Sequence, residues 1–84
     1  MATQGQRRSE AKAAIRRLRA EYRKADSSGE TVQRELERLL KRKTLIGPDS
    51  LQTLANRIDT YARLVESVQR LYLIVWGIIQ NVPR

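Results

Sequence analysis

Residues 71–79, which read Leu-Tyr-Leu-Ile-Val-Trp-Gly-Ile-Ile, decide how this chain has to fold. Eight of the nine are apolar, so a helix or strand built from them would have no polar face to turn toward water. The stretch is also far shorter than the roughly 20 apolar residues that cross a bilayer. The sequence therefore predicts that residues 71–79 are covered by the rest of the chain, by a second copy or by another protein.

The composition excludes most catalytic chemistry. The chain has 84 residues, which is one small domain, and it contains neither cysteine nor histidine. Disulfides, thiolate metal sites and the usual general base are therefore missing. Nine carboxylates remain, and most of them stand beside basic residues at helical spacing, which favours solvated ion pairs. We therefore expect no enzymatic activity, no metal and no cofactor.

The net charge of +8 is concentrated in the first third of the chain. Residues 1–25 carry eight basic and two acidic side chains, whereas residues 26–84 carry nine basic and seven acidic ones. A basic arm of this kind attracts nucleic acid, acidic proteins and anionic lipid alike. The sequence shows no signal peptide and no transmembrane segment, so we expect a cytoplasmic protein that is not secreted.

Helix signals predict an all-α three-helix bundle. After a flexible basic N-terminus at residues 1–8, a single helical domain is expected over 9–84. Asp26-Ser27-Ser28-Gly29 carries stop and capping signals, and Gly47-Pro48-Asp49 carries them again. The predicted helices span about 9–26, 28–44 and 49–81.

The third predicted helix is the longest and keeps a seven-residue apolar repeat. One row consists of Leu51, Ile58, Val65, Tyr72 and Ile79, and the other of Leu54, Tyr61, Val68, Val75 and Val82. The first two helices would be about half as long and could not cover all of the third. Either the third helix folds back near Gly77 or Gln69-Arg70, or a second chain covers it. We expect a dimer formed through this helix, with the following interface residues: Tyr61, Val65, Val68, Leu71, Tyr72, Leu73, Val75, Trp76, Ile78 and Ile79.

A row of basic residues follows another side of the first predicted helix. Its members recur every three or four residues: Arg8, Lys12, Arg16, Arg19 and Arg23. Such a face can follow a phosphate backbone, and it can equally be a solubilising surface. Nucleic acid is therefore a possible partner. Attachment to a membrane surface through residues 71–79 is the weakest alternative.

Two stretches resemble the C accessory proteins of paramyxoviruses. The first is Val32-Gln33 with Leu36 and then Pro48-Asp49-Ser50-Leu51, and the second is Leu71-Tyr72-Leu73-Ile74 followed by Pro83. In that family a Val/Leu-Gln pair opens an apolar helix, and a proline followed by an acidic residue and a leucine opens the next. The second stretch is similar to the C-terminal end of C proteins of the henipavirus type. The basic first helix has no counterpart in the pattern, and no functional residue is carried over.

The resemblance implies a non-enzymatic viral protein in the host cytoplasm that antagonises interferon signalling and modulates the viral polymerase. Its partners would be host signalling factors and viral polymerase components. The sequence thus favours a protein–protein interaction module that also forms homo-oligomers. The alternative is a small basic helical protein that binds nucleic acid without sequence specificity.

Overall fold

The chain forms two long helices. A computed structural model describes residues 4–81, in which α1 spans Gln4–Leu40 and α2 spans Pro48–Gln80. Residues 41–47 connect them. Three features of the sequence analysis fall wholly or partly outside the described residues: the start of the flexible N-terminus at 1–3, Val82 as a row member and Pro83 in the stretch that carries the resemblance.

The two helices pack side by side in opposite directions as a helical hairpin. At the open end, Arg7 Nη1 donates a hydrogen bond to the backbone oxygen of Asn81, at 3.1 Å. At the closed end, Arg42 Nη1 donates to Ser50 Oγ, at 3.3 Å. The molecule is a rod whose Cα atoms extend over 64 × 16 × 14 Å.

The expected three-helix bundle is wrong, because α1 continues through Asp26-Ser27-Ser28-Gly29 without a break. The capping signals there are local preferences of less than about 1–2 kcal/mol, which tertiary packing overrides. Thr31 Oγ1 donates to the Ser27 backbone oxygen instead, a bond that a continuous helix allows. Among the described glycines none has a positive φ, so Gly29 does not act as a helix terminator.

Gly29 lies where α2 approaches α1 closely. A Cβ atom placed on Gly29 would lie 2.9 Å from Cε2 of Tyr61, closer than side chains normally approach. The missing side chain therefore leaves room for the Tyr61 ring. The glycine serves interhelical packing in the middle of a helix, although it costs about 1 kcal/mol of helix propensity relative to alanine.

The second predicted break is real. Gly47 is the N-cap of α2 in an extended conformation and Pro48 occupies the first turn, where proline is favoured. The helix then runs to Gln80 without folding back at Gly77 or Gln69-Arg70. At 37 and 33 residues, α1 and α2 are about 55 and 50 Å long, so the expected mismatch in helix length does not exist.

The seam, which is the interface between the two helices, buries few large apolar side chains. On α1 the row nearest α2 repeats every seven residues and consists of Ala11, Leu18, Ala25, Val32 and Leu39. The next row consists of small or polar residues, namely Arg7, Ala14, Glu21, Ser28 and Glu35. Only five apolar residues of the described chain are buried, and none is below 2 % exposed: Ala11, Ala25, Leu39, Leu71 and Val75. Two helices alone therefore leave much of the apolar surface in water.

Candidate interaction surfaces

The predicted interface residues divide into three groups by exposure. Leu71 and Val75 are buried against α1, so the hairpin itself covers them. Val65, Val68 and Ile78 are half-buried at its edges. The remaining five are exposed, with Tyr72 at 58 % and Trp76 at 53 %: Tyr61, Tyr72, Leu73, Trp76 and Ile79. The cover that residues 71–79 require is thus supplied only in part by this chain.

The two seven-residue rows of α2 have different surroundings. The row of Leu54, Tyr61, Val68 and Val75 faces α1, because Val75 is buried, Leu54 and Val68 are half-buried, and the Tyr61 ring lies against Gly29 of α1. The other row turns away from the seam, and Leu64, Leu71 and Ile78 complete the contact with α1 in its place. Four of its five members are therefore exposed, and only Val65 is half-buried: Leu51, Ile58, Val65, Tyr72 and Ile79.

A matching row on α1 flanks the seam on the same side. Tyr22 and Val65 line one shallow groove between the helices, which shows that their rows lie next to each other. At seven-residue spacing the α1 row consists of Arg8, Ile15, Tyr22, Gly29 and Leu36, and its three large apolar side chains, Ile15, Tyr22 and Leu36, are all exposed. Helical spacing in the sequence places Ile15 and Tyr22 on the apolar stripe of the first predicted helix and Leu36 on the buried stripe of the second, whereas the structure exposes all three. The three residues are spaced by seven and fourteen positions in the sequence. This spacing places them on one face only when α1 is a single continuous helix.

We call this surface the apolar side. It consists of Ile15, Tyr22, Leu36, Leu51, Ile58, Val65, Tyr72 and Ile79. On α2 the residues next to this row are also uncharged: Ala55, Ala62, Gln69 and Trp76. An uncharged strip consequently follows α2 from Leu51 to Ile79, along most of the length of the rod.

The opposite flank of the seam is the polar side. Ser28, Thr31, Asn56, Arg57 and Thr60 line a groove there. At the same seven-residue spacing, α1 contributes Glu10, Arg17, Lys24, Thr31 and Arg38, and α2 contributes Thr53, Thr60, Ser67 and Ile74. Ile74 is the only apolar residue among these nine. The two long sides of one hairpin thus differ sharply in polarity.

The basic face that the sequence predicted lies on the solvent side of α1. All five of its members are exposed: Arg8, Lys12, Arg16, Arg19 and Arg23. Within residues 4–81 none of them forms an ion pair, whereas Lys24 pairs with Glu21 at 3.3 Å. The five guanidinium and ammonium groups are therefore available to an anionic ligand.

Ion pairs cluster toward the closed end. Arg34 pairs with Glu30 and Arg63 with Asp59, both on exposed surfaces where such pairs contribute little. Arg38 donates to Glu35 at i, i+3 through both Nε and Nη2. The hydrogen bond from Arg38 lowers the pKa of Glu35 below its ordinary value and raises the pKa of Arg38.

The described residues offer few groups for chemistry. No group of three or more acidic side chains within 4–81 could hold a metal ion. No helix in that range is long and apolar enough to cross a membrane. What the geometry does provide is two surfaces for larger partners, one apolar and one basic.

No protein-family model, no curated protein and no solved structure matches the chain. The arrangement of its own residues therefore carries the functional argument. In the structure Pro48 opens α2, and Val32-Gln33 lies inside α1.

Proposed function

We propose that the protein is a non-enzymatic protein–protein interaction module whose binding surface is the apolar side. The observation that carries this proposal is the uncharged strip on α2, where Leu51, Ile58, Tyr72 and Ile79 are exposed at seven-residue spacing. Such a strip is the pattern that a helix presents to another helix. Scattered surface apolar residues need no explanation, but a continuous patch marks an interaction site.

The expected energetics support the same proposal. Covering a large apolar side chain contributes about 1.5–3 kcal/mol, and the strip holds several that are about half exposed. Tyr72 and Trp76 are residue types that dominate the energy of protein interfaces. A partner that covers the strip therefore gains a large free energy, from which the loss of translational freedom has to be subtracted.

The proposal is tested by comparing two aspartate variants in affinity capture. Ile58→Asp places a charge on the apolar side, and Thr60→Asp places the same charge on the polar side. The proteins captured by wild type should also be captured by Thr60→Asp and lost with Ile58→Asp. If the captured set is the same for all three, the apolar side is not the binding surface.

The resemblance to paramyxovirus C proteins suggests one class of partner. It would place host signalling factors and viral polymerase components on the apolar side, and the module would antagonise interferon signalling in the host cytoplasm. This part of the proposal stands on the short similar stretches alone. It is tested by co-precipitating those host factors with wild type and with Ile58→Asp. Equal recovery with both proteins would refute it.

Binding of nucleic acid is the second candidate function, favoured by the basic face. Five exposed basic groups without ion pairs along α1 can contact successive phosphates. Engagement of all five predicts that the logarithm of the affinity falls with the logarithm of the salt concentration, with a slope of roughly −4.5 for duplex DNA.

The test of this candidate is a titration of duplex DNA and RNA with wild type, Arg16→Gln/Arg19→Gln and Arg63→Gln. Arg63 is the control, because it is exposed on α2 and paired with Asp59. The double variant should weaken binding and reduce the salt slope by about two, while the control should change neither. No binding at low salt would end this candidate.

A further inference from the structure

We propose that the occupant of the apolar side is a second copy of this chain, packed in the opposite direction so that two hairpins form a four-helix bundle. This inference rests on the proposed function and names its first partner. The juxtaposition that carries it is the pair of apolar rows, one on each helix, that lie on the same side of the seam.

The dimensions of the apolar side fit a second hairpin of the same length packed on it. The strip from Leu51 to Ile79 is 28 helical residues or about 42 Å long, and on a side about 14 Å wide it has a projected area of roughly 590 Å² per copy. A biological interface needs about 1,000 Å² in total, which is about 500 Å² on each partner. A second hairpin supplies a rod of equal length with an equally uncharged strip, so both copies bury their strips at once and form a symmetric interface.

The charge distribution favours an arrangement in which the two hairpins run in opposite directions. Around the open end, residues 4–25 and 64–81 carry nine basic and three acidic side chains. Around the closed end, residues 26–63 carry seven basic and six acidic ones. A parallel pair would place the two strongly positive ends together, whereas an opposite pair places each beside a nearly neutral end. Like charges repel at these separations, so the opposite direction is favoured.

The strip of α2 also complements itself in this direction. With Val65 on the twofold axis, Leu51 faces Ile79 of the second copy and Ile58 faces Tyr72 of the second copy. The same register brings Ala55 within one residue, about 1.5 Å along the helix, of the level of Trp76 of the second copy, a small residue beside the largest one in the chain. Such alternation lets side chains of two helices interdigitate without voids.

The test uses single cysteines, since the chain contains none of its own. Val65→Cys puts the thiols of both copies at the axis, so mild oxidation should link them efficiently. Leu51→Cys puts them 28 helical residues apart along the bundle, about 42 Å, and should not link. A double variant, Leu51→Cys/Ile79→Cys, should link the two copies, because Leu51 faces Ile79 of the second copy. Arg63→Cys is the control for random collision, because the Arg63 side chain is 78 % exposed and points away from the strip.

Solution mass completes the test and separates this inference from the proposed function. Sedimentation equilibrium of wild type should give twice the chain mass of 9.7 kDa. Linking of Leu51→Cys alone would overturn the opposite direction. A mass of 9.7 kDa, with Val65→Cys linking no better than Arg63→Cys, would overturn the second copy altogether. In that case the proposed function still holds if affinity capture depends on Ile58, and it fails as well if capture does not.

Discussion

The two long sides of the hairpin have the same scaffold but different surfaces. Both flank the same seam, and both consist of residues repeated every seven positions along α1 and α2. One side presents Ile58 and Tyr72, whereas the other presents Thr60 and Lys24. The seam buries only five apolar residues in the described chain, so it does not account for the apolar side. The difference shows that packing within one hairpin leaves the apolar residues of one side without a contact partner.

The largest expected effect comes from placing one charge on each side. Ile58→Asp should raise the dissociation constant of the dimer by at least about 100-fold, because burying an unpaired carboxylate costs several kcal/mol. Thr60→Asp should change it by less than about fivefold, since that side stays in water. Analytical ultracentrifugation of both variants measures the effect. Equal dissociation constants would remove the distinction between the two sides.

The next effect distinguishes the seam from the outer surface of the same apolar stretch. Leu71 is 8 % exposed and Leu73 is 69 % exposed, although the two are only two residues apart. Leu71→Ala should lower the free energy of unfolding by about 2–3 kcal/mol, and Leu73→Ala by less than about 0.5 kcal/mol. Urea denaturation at one protein concentration measures both. Comparable losses would mean that α1 does not cover Leu71.

A smaller effect compares two glycines inside helices. A Cβ at Gly77 would meet no atom within 4 Å, so Gly77→Ala should stabilise the protein by about 0.5–1 kcal/mol. At Gly29 the Tyr61 ring stands in the way, so Gly29→Ala should gain less or destabilise the protein. In a Tyr61→Ala background, Gly29→Ala should stabilise the protein by the same amount as Gly77→Ala. The same gain for Gly29→Ala with and without Tyr61 would contradict the close approach of the helices.

The smallest effect concerns the pKa of Glu35. Since the hydrogen bond from Arg38 lowers this pKa, the pair stabilises the folded state above the ordinary pKa of the carboxyl group. That contribution is lost as the pH falls through the lowered value. An NMR titration of Arg38→Gln should show the Glu35 pKa moving up toward its ordinary value. Arg34→Gln is the control, because Arg34 pairs with Glu30 and should leave Glu35 unchanged.

The sequence predicted the helical class and the start of α2 but not the number of helices. Gly47-Pro48 is a covalent constraint on the backbone, so it acts in any context. Ser27 and Gly29 express weak preferences, which lose to the continuous row from Ala11 to Leu39 packed against α2. That row keeps one register of seven across the expected break. Giving weight to the register over the capping signal would have predicted a single helix.

The candidate surfaces were predicted in part for a related reason. Both rows of α2 are visible in the sequence, but which one faces α1 depends on how the helices pack. Tyr72 and Trp76 were therefore named together with Leu71 and Val75, although the structure separates the exposed pair from the buried one. On α1 the apolar stripes of the two predicted helices combine into one row only because the helix is continuous from Gln4 to Leu40. The basic face follows from helical periodicity alone, and its five residues are exposed.

Fluorescence of the sole tryptophan tests the central claim most directly, because Trp76 is 53 % exposed on a single hairpin and adjoins the apolar side. The measurement is acrylamide quenching of wild type and of Ile58→Asp at the same concentration. A second copy on the apolar side predicts that Trp76 is quenched clearly less in wild type than in the variant. Equal quenching in the two proteins, at the level of an exposed tryptophan, would contradict the account.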